Sequence, residues 1–397
     1  MKILLVHSAY QQFGGEDSVV RAETELLKSR GDDVHIYSRH NDEIKEFSPV
    51  QKALFFPQSI YSWKTSTELE DTVRQFQPDV AFLHNIYPLI SPAAYHKLHA
   101  LGVPTVQVLH NFRPFCPNGF CYTHGQICEA CVGGNYLNAV SKRCYKDSRV
   151  LSGLYAATLG LNRMSGMVNK ISGFICLTEF FRIKMREAGV PDSKLFVRPN
   201  FVTAPPIDTT EKSGQDYALF MGRLSPEKGC WTLIRAFEQL PTVQLKIVGT
   251  GPMEQELRNY VREKGIRNIE FLGFKGGNEK WHVLRNCLCL VLPSEWYENF
   301  PVTVLEAYMA SKPTVASRMG GLPYIVEEGK SGLLFDSGKA DDLARKIQYL
   351  VDHRDEAARM GACGRRLSET KYGPEEGYSN LMNIFEQVSA SQVHSRN

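Results

Sequence analysis

One pattern, run through twice, limits what this chain can fold into. Short apolar runs at 3–6, 34–37, 80–83, 105–109, 174–177 and 195–198 are separated by helical patterns such as 17–30 and 92–101. Strands that are apolar along their length are buried on both faces, and helices between consecutive strands make parallel connections. The first half therefore reads as a parallel sheet covered on both sides. After Asn200 the pattern stops, and FVTAPPIDTTEKSGQ has the Pro, Thr, Ser and charge content of a linker. The alternation then restarts with strands at 217–221, 244–248, 269–272, 287–292 and 314–316, and helices at 228–240, 253–264 and after Pro301. Helices at 341–353 and 355–370 precede an apolar-periodic segment, 377–388, expected to pack back across the domain junction. The expected class is α/β: two facing Rossmann-like domains with parallel sheets, and a cleft between the carboxyl ends of both sheets where ligands bind. The expected boundaries are 1–200, a linker at 201–216, 217–375, and a C-terminal helix with a disordered tail at 376–397.

Composition excludes several classes. Lys and Arg number 46 against 43 Asp and Glu, a net charge of +3. No clustered basic face of the kind that holds nucleic acid is present. Hydrophobic content of 43% with 22% charged residues is that of a globular protein. MKILLVHSAY reads as a first strand, because a secretory signal needs a longer apolar region and a small-residue cleavage site. No 18-residue apolar run occurs, so a cytoplasmic protein is expected. Ten cysteines then suggest reduced thiols or a metal site before disulfides.

The chemistry gathers at strand ends. Leu292 to Ala310 reads as the end of a buried strand, a loop carrying Glu298, and a helix opening at Pro301 that carries Glu306. A helix start collects unpaired N–H groups and the positive end of a macrodipole, which suits a phosphate; a dipole-favouring Glu and a solvated helical Glu is the plainer reading. At the end of the second half's first strand stands Gly222-Arg223-Leu224-Ser225-Pro226-Glu227-Lys228. Arg and Lys across such a loop converge on one anion, the Arg as a bidentate fork and the Lys as a point charge. Gly14 and Gly15 close the loop after strand one, where paired glycines admit a ligand oxygen or serve a plain turn. Neither first strand is followed by G-x-G-x-x-G, which argues against a dinucleotide site. His110 follows an apolar strand and is a candidate polar contact or base, although a single histidine also serves structure.

Together, GRLSPEKG, LPSEWYENFPVTVLEAYMASKPTVAS, GGLPYIVEEGKSGLLF, FGGEDSVV and VLHNFRPFCP resemble the family-4 retaining glycosyltransferases of the GT-B fold, over nearly the whole chain. The resemblance implies that residues 1–200 form the acceptor-side domain and 217–375 the nucleotide-sugar-binding domain. It implies that Arg223 and Lys228 hold the donor's diphosphate and stabilise the charge that grows as it leaves. The amides of Asn299, Phe300, Val302 and Thr303 add donors, Glu306 accepts from the ribose hydroxyls, Glu298 contacts the sugar ring, His110 its distal hydroxyl, and Gly15 admits the diphosphate. The implied reaction is transfer of a sugar from a nucleotide diphosphate sugar to an acceptor hydroxyl with retention, needing no cofactor. Its expected place is surface polysaccharide or glycolipid synthesis, on a glycan or lipid-linked acceptor. Asn111 stands where many relatives carry Asp; it can still position the histidine but cannot act as a carboxylate. Two alternatives stay open: a nucleotide-sugar epimerase of the same fold, and a non-catalytic nucleotide-sugar-binding protein.

An irregular insert at 111–148 carries Cys116, Cys121, Cys128, Cys131 and Cys144. A loop of that length inside a domain needs something to order it, and Cys128-x2-Cys131 has metal-ligand spacing. Cys116, Cys128, Cys131 and Cys144 are the candidate ligands of a structural zinc, with separate packed thiols and a redox pair as alternatives. The segment that follows, VLSGLYAATLGLNRMSGMVNKI, reads either as a core-facing helix or as a surface for peripheral contact with the inner face of a membrane.

Overall fold

The computed structural model describes residues 1–11, 14–203 and 217–394, without the side chains of residues 53 and 392–394. It divides into two compact units: Met1–Cys121, Cys128–Asn200 and Pro374–Asn397 form one, and Tyr122–Ile127 and Phe201–Gly373 form the other.

In the first unit, β1 (Lys2–Ala9), β2 (Asp33–His40), β3 (Val80–Leu83) and β4 (Thr105–Leu109) pair in parallel. After the small antiparallel hairpin β5 (Tyr122–Thr123) and β6 (Gln126–Ile127), β7 (Gly173–Cys176) and β8 (Leu195–Val197) complete this sheet in the order β2-β1-β3-β4-β7-β8. Every residue of β3, β4 and β7 is buried, the polar Thr105 and Gln107 of β4 included. Edge strand β2 has no buried position, and its sequence DVHIYSRH is correspondingly mixed.

The second unit repeats the plan with β9 (Tyr217–Met221), β10 (Gln244–Val248), β11 (Ile269–Gly273), β12 (Cys289–Leu292), β13 (Thr314–Ser317) and β14 (Gly332–Phe335). The order is β11-β10-β9-β12-β13-β14, all parallel. This is the doubly wound arrangement, with its topological switch between β9 and β12. Strand β14 adds a sixth strand to the five legible from sequence. Its core includes Phe220, Leu233, Phe237, Val291 and Ile347, each worth roughly 1.5–3 kcal/mol on burial.

Of the expected linker 201–216, residues 204–216 lie outside the described residues. The C-terminal helix Pro374–His394 is longer than its apolar segment suggested. It belongs with the first unit, where Phe385 sits edge-on to Phe82 at 5.3 Å between ring centres and Leu381 and Val388 are buried. The cysteine insert is not structureless: it contains the β5–β6 hairpin and a short helix, Leu137–Ser141. Among the described residues no helix is long and apolar enough to cross a membrane.

Candidate active site

The second unit's switch point brings Arg223, Lys228 and Glu298 onto neighbouring loops. Arg223 and Lys228 follow β9, and Glu298 follows its sheet neighbour β12. Gly229, at φ +67°, lies flat against the Pro293 carbonyl, where a Cβ would approach to 1.8 Å. The Glu295 amide donates to the Glu227 carbonyl at 2.9 Å, and Thr232 Oγ1 donates to Glu295 Oε1 at 2.6 Å. Gly320, at φ +59°, backs onto the Glu298 peptide, and the Gly321 amide donates to the Glu298 carbonyl at 2.6 Å. The loop that carries the carboxylate is thus fixed from both sides.

Glu298 is buried and accepts from Lys228 Nζ and from Ser294 Oγ, each at 2.6 Å. Burial alone would raise its carboxyl, but the Lys228 charge, with hydrogen bonds from Lys228, Ser294 and Trp296, holds it below its ordinary value. Lys228 also lies 4.9 Å from the centre of the Trp296 ring. Arg223 is exposed, and its side chain makes no hydrogen bond or ion pair with the described residues.

Glu306 lies inside the helix Val302–Met309, whose N-cap is Pro301, and is buried. It accepts from Lys280 Nζ at 2.6 Å, a partner the sequence reading missed. Val302 and Thr303 form the first turn, where N–H groups have no carbonyl a turn earlier to accept them. Asn299 and Phe300 lead into this turn, and Phe300 packs edge-on against Tyr372 at 5.6 Å.

The remaining expected residues belong to the first unit. Gly15 opens the helix Gly15–Ser29, and a Cβ built on it meets nothing within 4 Å among the described residues. His110 follows β4 and lines a small cavity with Glu16, Asn85, Tyr87, Asn111 and Arg113. Asn111 does not act on the imidazole; its side-chain oxygen accepts from the Arg113 amide at 3.1 Å. His110 Nε2 instead meets His84 Nδ1 at 3.0 Å, the two rings lying nearly parallel. Burial pushes His110 down to about 4 against the raising influence of Glu23, so the ring is neutral at physiological pH.

All five cysteines of the insert are free thiols. Cys116 is pulled down to about 6, chiefly by a hydrogen bond from the Cys121 thiol and, against its burial, by the amides of Cys121, Gly119 and Asn118. Lys142 Nζ donates to Cys128 Sγ at 3.3 Å. Among the described residues no group of three or more His, Cys, Asp or Glu side chains is close enough to hold a metal ion.

Residues 13–204 match the family described as Glycosyltransferase Family 4, and residues 206–367 match Glycosyl transferases group 1. The chain belongs to this glycosyltransferase family. An uncharacterized glycosyltransferase of Methanocaldococcus jannaschii is 32% identical over 174 residues, 44% of this chain and 49% of that protein. The D-rhamnosyltransferase WbpZ of Pseudomonas aeruginosa is 32% identical over 166 residues, 41% of this chain and 42% of that protein. This chain thus spans half or less of the length of these curated relatives. Among solved structures, Anabaena HepE in complex with UDP and glucose superposes with a TM-score of 0.69 at 17% identity, covering 98% of this chain and 100% of that one. The fold of this glycosyltransferase is GT-B.

Proposed function

We propose that the protein is a retaining glycosyltransferase that moves a sugar from a nucleotide diphosphate sugar to an acceptor hydroxyl, in surface polysaccharide or glycolipid synthesis. One observation carries this reading: an exposed Arg223 and a Lys228 tied to the buried Glu298 share the loops at the β9–β12 switch point, beside a helix start. Arg223 and Lys228 take the donor's diphosphate, and their fixed charge stabilises the departing nucleotide. The amides of Asn299, Phe300, Val302 and Thr303 add to that cradle. Glu306, steadied by Lys280, accepts from the ribose, while Glu298 meets the sugar ring. In the first unit Gly15 leaves room for the diphosphate, and His110 meets a sugar hydroxyl.

The test starts from nucleotide sugars screened by thermal shift, UDP sugars first because HepE is seen with UDP and glucose. The stabilising donor is then incubated with acceptor glycans, and the new linkage is read by NMR. A product of retained configuration is expected, and an inverted linkage overturns retention. Conversion of donor without acceptor points to an epimerase, and binding without turnover over the acceptor panel points to a non-catalytic binder.

A lipid-linked acceptor fits the helix Arg149–Met164. Val150, Ala157, Leu161 and Met164 are exposed at spacings that share one helical face, and Arg149 and Arg163 adjoin them. Co-sedimentation with anionic vesicles, weakened by Met164→Glu, is the expected sign of peripheral contact; equal recovery with and without vesicles overturns it. A structural zinc on Cys116, Cys128, Cys131 and Cys144 requires those free thiols to close in. Elemental analysis of protein purified without chelator decides it, and less than ~0.1 equivalent of zinc overturns it.

A further inference from the structure

Behind His110 lies a buried polar chain that the transfer reaction described above does not use. His84 follows β3 as His110 follows β4, and these strands are neighbours in the sheet. His84 is buried and its backbone is fixed: Gln107 Nε2 donates to the His84 carbonyl at 2.6 Å, and Tyr95 donates to Gln107 Oε1 at 2.6 Å. One ring nitrogen, Nδ1, meets His110 Nε2 at 3.0 Å. The other, Nε2, faces Glu23 Oε2 at 3.6 Å. Glu23 Oε1 accepts from Arg198 Nη1 at 2.6 Å, both side chains being 1% exposed, and Arg198 Nε donates to the Gly377 carbonyl at 3.0 Å. His7, held by Asp17 at 2.9 Å, stands edge-on to His84 at 6.2 Å.

The chemistry of these atoms fixes where the ring protons sit. An ionised carboxylate only accepts, so the nitrogen facing Glu23 Oε2 must carry the hydrogen. With Nε2 bare, two lone pairs would oppose each other in a buried site, since neither atom has another hydrogen-bond partner among the described residues. His84 therefore holds its proton on Nε2 and has a lone pair on Nδ1. That lone pair needs a donor, which makes His110 an Nε2–H imidazole as well. We infer that Arg198, Glu23 and His84 form a positioning relay that holds His110 as the Nε2–H tautomer, so that its Nδ1 accepts a hydrogen bond from a substrate hydroxyl. Burial disfavours protonation of both rings, which keeps the chain neutral at physiological pH. With Asn111 turned to the Arg113 amide, Glu23 reaches His110 through a second imidazole. The inference rests on the glycosyltransferase reading only for the identity of the hydroxyl-bearing ligand, and the tautomer is measurable without turnover.

The experiment is a long-range proton–nitrogen NMR spectrum of the full chain labelled with 15N-histidine, at pH 7. Signals are assigned by their loss in His84→Asn and His110→Asn. Wild-type protein is expected to show both rings protonated on Nε2. Glu23→Gln keeps an oxygen for Arg198 and turns an NH2 group towards His84, so both rings are expected to invert to Nδ1–H. The donor kcat/KM is expected to fall at least about tenfold, since a hydrogen bond to the hydroxyl is lost. Should Glu23→Gln fail to fold, His84→Asn decides: its Oδ1 takes the place of Nδ1, so it is expected to keep His110 as Nε2–H, whereas His84→Phe releases it to a tautomer mixture. An Nδ1–H His110 in the wild type, or unchanged tautomers in Glu23→Gln and His84→Phe, overturns the relay. Near-wild-type turnover in His110→Ala would instead remove His110 from the transfer reaction and leave the relay standing.

Discussion

Both units carry candidate side chains just after the carboxyl ends of neighbouring parallel strands, and equip them differently. In the second unit the groups around β9 and β12 carry full charges: Lys228 on Glu298 in the loops, Lys280 on Glu306 between the helices Gly277–Asn286 and Val302–Met309, and Arg223 exposed and without an ion-pair partner among the described residues. In the first unit the side chains after β3 and β4 are neutral imidazoles, and the charges lie deeper, as the Glu23–Arg198 pair. The difference follows what each side would meet. A diphosphate calls for fixed cations, which the exposed Arg223 and the Lys228 held by Glu298 supply. A sugar hydroxyl needs a directional acceptor that stays uncharged, which burial supplies by suppressing protonation.

This contrast can be broken in four places. The largest effect is expected from Glu23→Ala, which leaves Arg198 buried without its carboxylate and should lower the unfolding free energy by ~3–5 kcal/mol in urea titration. A change under ~1 kcal/mol would mean that the buried pair does not organise the first unit. Next, Arg223→Ala and Lys228→Ala should each reduce kcat by about 10²–10³, the range for losing one preorganised donor to developing charge. Arg223→Ala should leave the melting temperature unaltered because the side chain is exposed. Wild-type turnover in either variant would remove the second unit's cations from the reaction. A smaller effect is expected from Lys280→Ala, which frees Glu306: the donor KM should rise about tenfold with kcat nearly unaltered, and a purely kcat effect would contradict a ribose-binding role.

The smallest effect concerns pH. His84 and His110 both have folded values below the ordinary ~6.5, His110 at about 4. Between those values the unfolded chain binds more protons than the folded one, so stability is full above about 6.5 and falls as pH drops towards 4. The urea midpoint should decline over that window, with a shallower slope in His110→Gln. Equal slopes would show that the imidazole is not held neutral by burial.

What could be read beforehand depended on how local each signal was. Arg223, Lys228, Glu298 and Glu306 were legible because each lies within a few residues of an apolar strand or a helix start. Lys280 was not, since the helix Gly277–Asn286 carries no sign of a carboxylate 26 residues onward. Glu23 and Arg198 are 175 residues apart and meet only through folding. His84 is a different case: FLHN and VLHN repeat the same strand-end pattern, and only the second drew notice. Strand β14 escaped because four residues, GLLF, are too short for periodicity to separate strand from helix. In the insert the thiol spacing was plain, while the Cys116–Cys121 contact depends on a turn that spacing does not encode.

The helix Pro374–His394 carries a consequence for how the protein is made. Phe385 is fully buried in the first unit, and the Gly377 carbonyl accepts from the guanidinium that holds Glu23. The unit that residues 1–200 begin therefore stays incomplete on the ribosome until residues 374–394 have been translated, a wait of roughly ten seconds or more at ordinary elongation rates. The second unit's sheet is contiguous in sequence and can close during that interval. The nascent first unit meanwhile leaves uncovered the apolar surface around Phe82 that this helix later buries, and such transiently exposed surface is prone to aggregate.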